Sequence, residues 1–387
     1  MAGGYKITTL SVNNTALSGA NVASSHRADA AYFNPANMSW FDEKNHLETD
    51  LNTIYLSSIK YTNASDSSIY SKSEYKILPA LFFVSKPVEN VRFGLCLVTP
   101  AGLTKRWDDQ PARFYAKEYT LKTIEVNPSA SYKPTENLSL AVGYRAVYSK
   151  AKLKGDGNGL PDGDPRSPIS RDMSGDSIDS GYNLALSYRP TDTLYLAATY
   201  RSKVDLTLKG DAHIVIGSYR TDTKGEVKSL IPASLSLAVS YKITPKTIFE
   251  FVYEKTFWSD NEKLDFDFAD SYAESLLGKP IPKMWKDAAA YRAGVTHYKD
   301  RWRLMAGAFY DETPVPEFTL GFETPDSDSY GFSFGGRYKI SRKLETGFAT
   351  MVLFKKDRSI TDNQYSINGT FSNSRALIFS FGLGYDF

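Results

Sequence analysis

The chain closes on Ser374-Arg-Ala-Leu-Ile-Phe-Ser-Phe-Gly-Leu-Gly-Tyr-Asp-Phe387, and the reading of this stretch decides the fold. Leu377, Phe379, Phe381, Leu383, Tyr385 and Phe387 are large and apolar, whereas Ala376, Ser380, Gly382, Gly384 and Asp386 are small or polar. A period of two is a strand with one greasy face and one tight or wet face. In a soluble sandwich the greasy face would need a second apolar layer, and no helical segment of the chain supplies one.

The same alternation recurs upstream. From about residue 44 the chain breaks into alternating segments of ten or more residues. Very short polar turns fall at 86–90, 134–137, 190–193, 244–247, 298–301 and 341–343. Longer polar stretches fall between them, at 62–74, 100–117, 154–176, 210–224, 259–286, 311–328 and 357–373. Six short and seven long connections in strict alternation join fourteen strands. An even strand number with short periplasmic turns and long extracellular loops is the pattern of a transmembrane antiparallel β-barrel. The terminal Phe387 on an alternating strand resembles the assembly signal of bacterial outer-membrane barrels.

Composition agrees with that class. With 26 Tyr and 22 Phe the chain can place aromatic girdles at both water–lipid interfaces. No apolar run approaches 18 residues, so no helix is long enough to span a bilayer. A net charge of +2 gives no electrostatic case for nucleic acid as a partner. The single Cys96 excludes an intrachain disulfide and a thiolate metal site. The amino terminus, Met-Ala-Gly-Gly-Tyr-Lys, has no charged n-region followed by an apolar h-region. Export requires such a signal peptide, so it is expected to have been removed.

Parity assigns the faces. Leu138, Leu140, Val142, Tyr144 and Tyr148 share the lipid side of the fifth strand, leaving Ser139, Gly143, Arg145 and Ser149 inside. The same bookkeeping sends Glu48, Asp50, Arg92, Glu125, Arg189, Arg201, Glu250, Glu254, Arg292, Arg303, Arg337 and Glu345 into the lumen. Both signs are present, which predicts a web of ion pairs; on the lipid face such charges would cost roughly 2–4 kcal/mol at mid-membrane. Residues 10–40 show no alternation and are rich in Ala, Ser and Asn. Fourteen strands enclose more space than side chains can fill, since eight already approach that limit. The first segment, 1–41, is therefore expected to fold as a plug inside a wall formed by 42–387.

At Ala30-Ala-Tyr-Phe-Asn-Pro-Ala36 the chain resembles the FadL/TodX family of outer-membrane transporters for hydrophobic compounds, which carry an Asn-Pro-Ala motif in an amino-terminal hatch. The likeness continues through Pro100-Ala-Gly-Leu-Thr-Lys-Arg-Trp-Asp108 and Leu121-Lys-Thr-Ile-Glu-Val-Asn-Pro128. It recurs at Tyr200-Arg-Ser-Lys-Val204, Asp311-Glu-Thr-Pro-Val-Pro316 and the terminal strand, so it covers essentially the whole chain in order.

The resemblance implies a monomeric channel in the Gram-negative outer membrane, bathed in lipid and lipopolysaccharide. Fatty acids, alkylbenzenes or detergent would be captured between the extracellular loops 154–176 and 210–224. Polar contacts from Asn34 and the turn at Pro35 would hold the hatch near the third strand, and hatch movement at Asn34, Pro35 and Ala36 would then release the compound sideways through the wall, beside an inward kink of that strand. Gly94 and Pro100 are the candidates for that opening, because Gly marks kinks and Pro ends pairing. Fatty-acid members present an inward basic side chain near the top of the fifth strand. The candidates here are Lys150, Lys152 and Lys154, with Lys283 before the tenth strand. Parity places Gly155 inward and Lys152 and Lys154 outward, so a neutral hydrocarbon is an equally open substrate.

Other chemistry finds less support. The loop 156–164, Asp-Gly-Asn-Gly-Leu-Pro-Asp-Gly-Asp, has oxygen ligands at calcium-loop spacing, but Ser167 stands where a bidentate Glu is needed. His26, His46, His213 and His297 form no zinc spacing, and no cofactor is implied. A barrel phospholipase would need a His and a Ser nucleophile in one strand layer, and the His positions do not provide it. A diffusion porin for polar solutes is the remaining alternative; it calls for an open lumen without a plug.

Overall fold

The computed structural model describes residues 3–157 and 166–387. Fourteen antiparallel strands form the wall. They are β1 (His46–Leu56), β2 (Glu74–Val84), β3 (Val91–Val98, resuming as Gly102–Lys105), β4 (Glu118–Thr135) and β5 (Leu138–Gly157). Next come β6 (Ile169–Tyr188), β7 (Leu194–Arg201, resuming as Val204–Ile216) and β8 (Tyr219–Ile231 with Ser234–Thr244). The wall is completed by β9 (Thr247–Thr256), β10 (Ala288–Lys299), β11 (Trp302–Asp311), β12 (Ser329–Lys339), β13 (Leu344–Lys355) and β14 (Arg375–Asp386). The barrel closes where β14 meets β1, in register from His46↔Asp386 to Leu56↔Ala376. Closure pairs the first strand with the last, which is what lipid requires of a strand structure.

Alternation decides the two faces as parity demands. On β12, Phe332 and Phe334 are 60% and 64% exposed while Ser333 between them is buried. Inside, Arg337 bridges Glu48 and lies 3.6 Å from Asp50; Arg145 meets Glu125 at 2.9 Å; Arg292 meets Asp311 at 2.9 Å. Each of these buried charges thus has an opposite charge beside it, the condition under which burial is tolerated.

The stretches 154–176 and 210–224, expected as loops, are largely strand. β5 and β6 run on beyond the membrane level, and β7 and β8 are joined by a tight turn at Gly217-Ser218, with Gly217 at φ 58°. Polar residues on both faces suit a sheet standing in water. Polarity on both faces here reports solvent on both sides and not a loop. β6 pairs with β7 at Asn183↔Arg201 and again at Asp176↔Lys209, so the two strands part between those points.

Residues 3–41 pack inside the wall. A short helix α1 (Val12–Ala16), a single turn α2 (Ala30–Phe33) and a 3-10 turn (Pro35–Trp40) are joined by irregular chain. Such chain leaves many backbone groups without helical partners, and the wall supplies them. Asp50 Oδ1 accepts from Val12 N at 3.1 Å, and Ser333 Oγ lies 2.7 Å from Ser18 Oγ. Arg337 Nε donates to Asn13 Oδ1 at 2.8 Å. The Glu250 carboxylate accepts three consecutive amides, Val22 N at 2.5 Å, Ala23 N at 2.8 Å and Ser24 N at 2.9 Å. Packing is equally close at Gly307, where a Cβ would stand 2.3 Å from the Leu17 carbonyl carbon.

Glu250→Ala removes the acceptor for all three amides. Each bond to a charged group is worth about 1.5–3 kcal/mol, so residues 22–24 should exchange their amide protons at least tenfold faster while the wall keeps its protection. Unchanged exchange at 22–24 would show that this anchor does not hold the hatch.

Candidate functional site

On the extracellular side of the hatch lies a cavity of about 80 Å³. Its apolar lining includes Tyr5, Leu103, Leu121, Val227, Phe266 and Trp285, drawn from the hatch, the wall and the connection 259–286. Tyr5 and Trp285 belong to an aromatic cluster with Trp258, the ring centroids of Tyr5 and Trp258 being 4.8 Å apart. Polar groups are few. Lys283 Nζ meets Glu323 Oε1 at 2.5 Å, so that buried lysine is already neutralised. Lys152 also lines the cavity and meets Glu118 at 3.4 Å. An apolar container with sparse polar groups is suited to a hydrophobic small molecule.

Lys150 and Lys154 are not part of it. Period-two alternation leaves Lys150 exposed on the outer face, and Lys154 is held by Asp172 at 2.5 Å. Gly155, expected inward, is buried; a Cβ there would come within 2.2 Å of Phe114 O. The calcium candidate 156–164 falls outside the described residues apart from Asp156 and Gly157. Asp156 is engaged by Lys117 at 2.5 Å and by Arg113.

Beside the cavity β2 and β3 separate. The β2–β3 ladder runs from Val84↔Gly94 to Leu81↔Leu97, while the β1–β2 ladder continues to Leu56↔Glu74. Above Leu81 the inner course of β3 bends away, keeping its pairs with β4 from Gly102↔Lys122 to Lys105↔Tyr119. The break lies at 99–101, where Pro100 lacks an amide donor. The edge that β2 gives up is taken by the hatch: Ile7 N donates to Pro100 O at 3.0 Å and Gly102 N to Tyr5 O at 2.9 Å, around the bridge Lys6↔Ala101. Ile7 and Leu10 pack in one apolar cluster with Ala80, Phe82 and Val98. Overhead, Arg106 spans to Glu74 with two bonds, at 2.7 and 3.0 Å.

Two expectations need correcting. Gly94 is not at the break, since it sits inside regular ladders opposite Val84 and Ser129. Its missing side chain instead admits the hatch, because a Cβ would stand 2.5 Å from Met38 Sδ and 2.7 Å from Ser129 Oγ. Asn34 does not tie the hatch to the third strand. Its Nδ2 donates to Val22 O at 2.8 Å and its Oδ1 accepts from Ala36 N at 3.1 Å, so with Pro35 it shapes the hatch internally. The sequence did carry an unused signal for the opening. Pro79 lies mid-strand in β2, and proline inside a sheet is confined to edges.

A fourteen-stranded closed barrel with a filled lumen, an apolar cavity and a seam in its wall is an outer-membrane transport protein of Gram-negative bacteria. The family model for outer membrane protein transport proteins (OMPP1/FadL/TodX) matches residues 1–387, and the chain belongs to that family. It is 24% identical to outer membrane protein P1 of Haemophilus influenzae, over 89% of this chain and 82% of that protein. It is 23% identical to the long-chain fatty acid transport protein of Escherichia coli K12, over 80% of this chain and 77% of that one. Among solved structures, a Pseudomonas aeruginosa FadL homologue superimposes with a TM-score of 0.87 at 21% identity, covering 99% of this chain and all of that one. The Pseudomonas putida toluene transporter TodX does so with 0.74 at 17% identity, covering 99% and 98%.

Gly94→Val should still assemble a heat-modifiable barrel, because the wall ladders do not need that position bare. Overpacking costs about 1–3 kcal/mol, and it falls on the Met38 contact. Faster proteolysis or proton exchange across 30–40 is the expected result. A hatch as protected as in the wild type would remove Gly94 from the hatch contact.

Proposed function

We propose that this protein takes up hydrophobic compounds, of the fatty-acid or aromatic-hydrocarbon kind that its relatives' names describe, and releases them sideways into the membrane. The observation that carries the reading is the exchange of partners along β3, where residues 5–7 of the hatch replace β2 between the cavity and lipid. Tyr5 belongs to both places: it lines the cavity and supplies a carbonyl to the bent edge. A molecule filling the cavity presses on the residue that seals the wall, and displacement of 5–7 uncovers the gap between Leu81↔Leu97 and the Arg106–Glu74 pair. The filled lumen argues against the porin alternative, since a polar solute would find no continuous wet path and no apolar contact.

The test locks the seam. Lys6 and Ala101 face one another without direct hydrogen bonds, a pairing that brings Cα atoms to about 4.5 Å, within disulfide reach. In a Cys96→Ser background, the pair Lys6→Cys and Ala101→Cys should lose most uptake of laurate or toluene when oxidised and regain it with reductant. Full uptake in the oxidised state would exclude this exit.

A further inference from the structure

At the periplasmic mouth, on the far side of the hatch from the apolar cavity, a cleft of about 480 Å³ opens beside the turns that join β10 to β11 and β12 to β13. A space of about 290 Å³ adjoins it, the two sharing Arg27, Arg301, Lys339 and Glu345. The two turns are neighbours, tied by the bond from Lys339 N to Arg301 O at 2.9 Å. Charge here is one-sided. Asp42 is taken by Lys44 at 3.1 Å and His46 at 3.0 Å, Asp386 by Arg27 at 3.1 Å, and Glu345 by Arg303 at 2.5 Å. Among the described residues, the side chains of Arg301, Lys339, Arg342 and Lys343 have neither an ion pair nor a hydrogen bond, and Asp300 is the single acid of the two turns. The floor is Arg27, 8% exposed, whose Nε and Nη2 have no hydrogen-bond partner. Elsewhere on this rim Lys86, Lys133 and Arg189 each have an acid three residues on, at Glu89, Glu136 and Asp192.

The outer face of the same turns is apolar. Trp302 and Tyr338 lie together with ring centroids 4.7 Å apart, and Trp302, Leu304 and Ile340 are exposed toward lipid. The cleft reaches that face at Leu344, which shares the outward parity of Phe348. Cations that meet an apolar rim at the water–lipid boundary suit a lipid whose head group is negative. We propose that these two turns bind an anionic phospholipid of the periplasmic leaflet. Its phosphate enters the cleft, where the Arg301 and Arg342 guanidiniums donate charge-assisted bonds to the phosphate oxygens and Lys339 and Lys343 add point charges. Its acyl chains lie outside, along Trp302, Leu304 and Ile340. The site is independent of the transport reading, since it stands at the opposite end of the lumen from the apolar cavity.

Trp302 is the one tryptophan facing lipid among the described residues, so brominated acyl chains, which quench indole on contact, report which lipid lies beside it. The protein is reconstituted into vesicles of dioleoylphosphatidylcholine carrying a minor fraction of brominated phosphatidylglycerol. A parallel sample carries brominated phosphatidylethanolamine, which has the same chains and a phosphate but no net charge. Phosphatidylglycerol is expected to be enriched at Trp302 by about fivefold or more, the effect of one basic residue on an anionic lipid. Arg301→Gln with Arg342→Gln and Lys343→Gln should bring the two lipids level, whereas Lys86→Gln with Lys133→Gln, on other turns, should leave the preference whole. Should the triple variant fail to assemble, salt gives a second reading. Raising it toward molar strength shortens the screening length to about 3 Å, and the wild-type preference should collapse. Equal quenching by both lipids in wild type, a preference that survives the triple variant or high salt, or equal loss in the control variant overturns the site. Equal quenching together with saturable binding of inorganic phosphate assigns the cleft to a soluble anion and overturns it as well.

Discussion

A backbone amide facing hydrocarbon must find an acceptor, because there is no water to supply one. That constraint explains why the wall is closed from His46↔Asp386 onward, and it bears on the place beside the cavity where β2 and β3 separate. The upper course of β3 abandons β2 only where residues 5–7 take over its edge. The hatch is therefore part of the wall's hydrogen bonding as well as a filler of the lumen. β2, left as an edge from Glu74 to Ala80, carries Pro79 and is roofed by the Arg106–Glu74 pair.

The hatch itself illustrates how a segment with few apolar residues becomes ordered. Its irregular backbone could not bury enough surface to fold alone. Inside the barrel it meets preplaced acceptors and donors: Glu250 for three amides, Asp50 for the start of α1, Arg337 for Asn13. Those wall groups in turn need partners, since a lumen lined by Glu48, Asp50, Arg303, Arg337 and Glu345 would otherwise hold charges in a narrow space. Hatch and wall satisfy one another, and loosening either exposes polar groups on both.

Strand count, faces and lumenal charges were legible because a lipid-facing wall imposes a strict period of two and short turns at one rim. Legibility failed where that period no longer had an apolar face to report. The extensions of β5 to β8 stand in water, so their polar residues looked like loops. It failed again at Pro100. Extending the parity of Arg92, Gly94 and Cys96 would send Thr104 inward and Lys105 to the lipid, but the bend resets the register and Leu103, Thr104 and Lys105 are all buried. Asn34 and Gly94 meet partners other than the expected ones, since sequence spacing does not say which surface a hatch presents to which strand.

The energetics of the seam set what can pass in the proposed cycle. Parting residues 5–7 from β3 breaks two backbone bonds, Ile7 N to Pro100 O and Gly102 N to Tyr5 O. Leaving buried groups unsatisfied costs about 1–3 kcal/mol each, so opening costs on the order of 4–12 kcal/mol for the two donors and two acceptors. Burying a methylene returns about 0.8 kcal/mol, so roughly five to fifteen methylenes of apolar surface offset the opening while the molecule covers the gap. A small polar solute brings no such surface and cannot shield the exposed amides. In the proposed cycle, selection for apolar cargo thus follows from the hydrogen bonds of the wall, before any side chain reads the ligand.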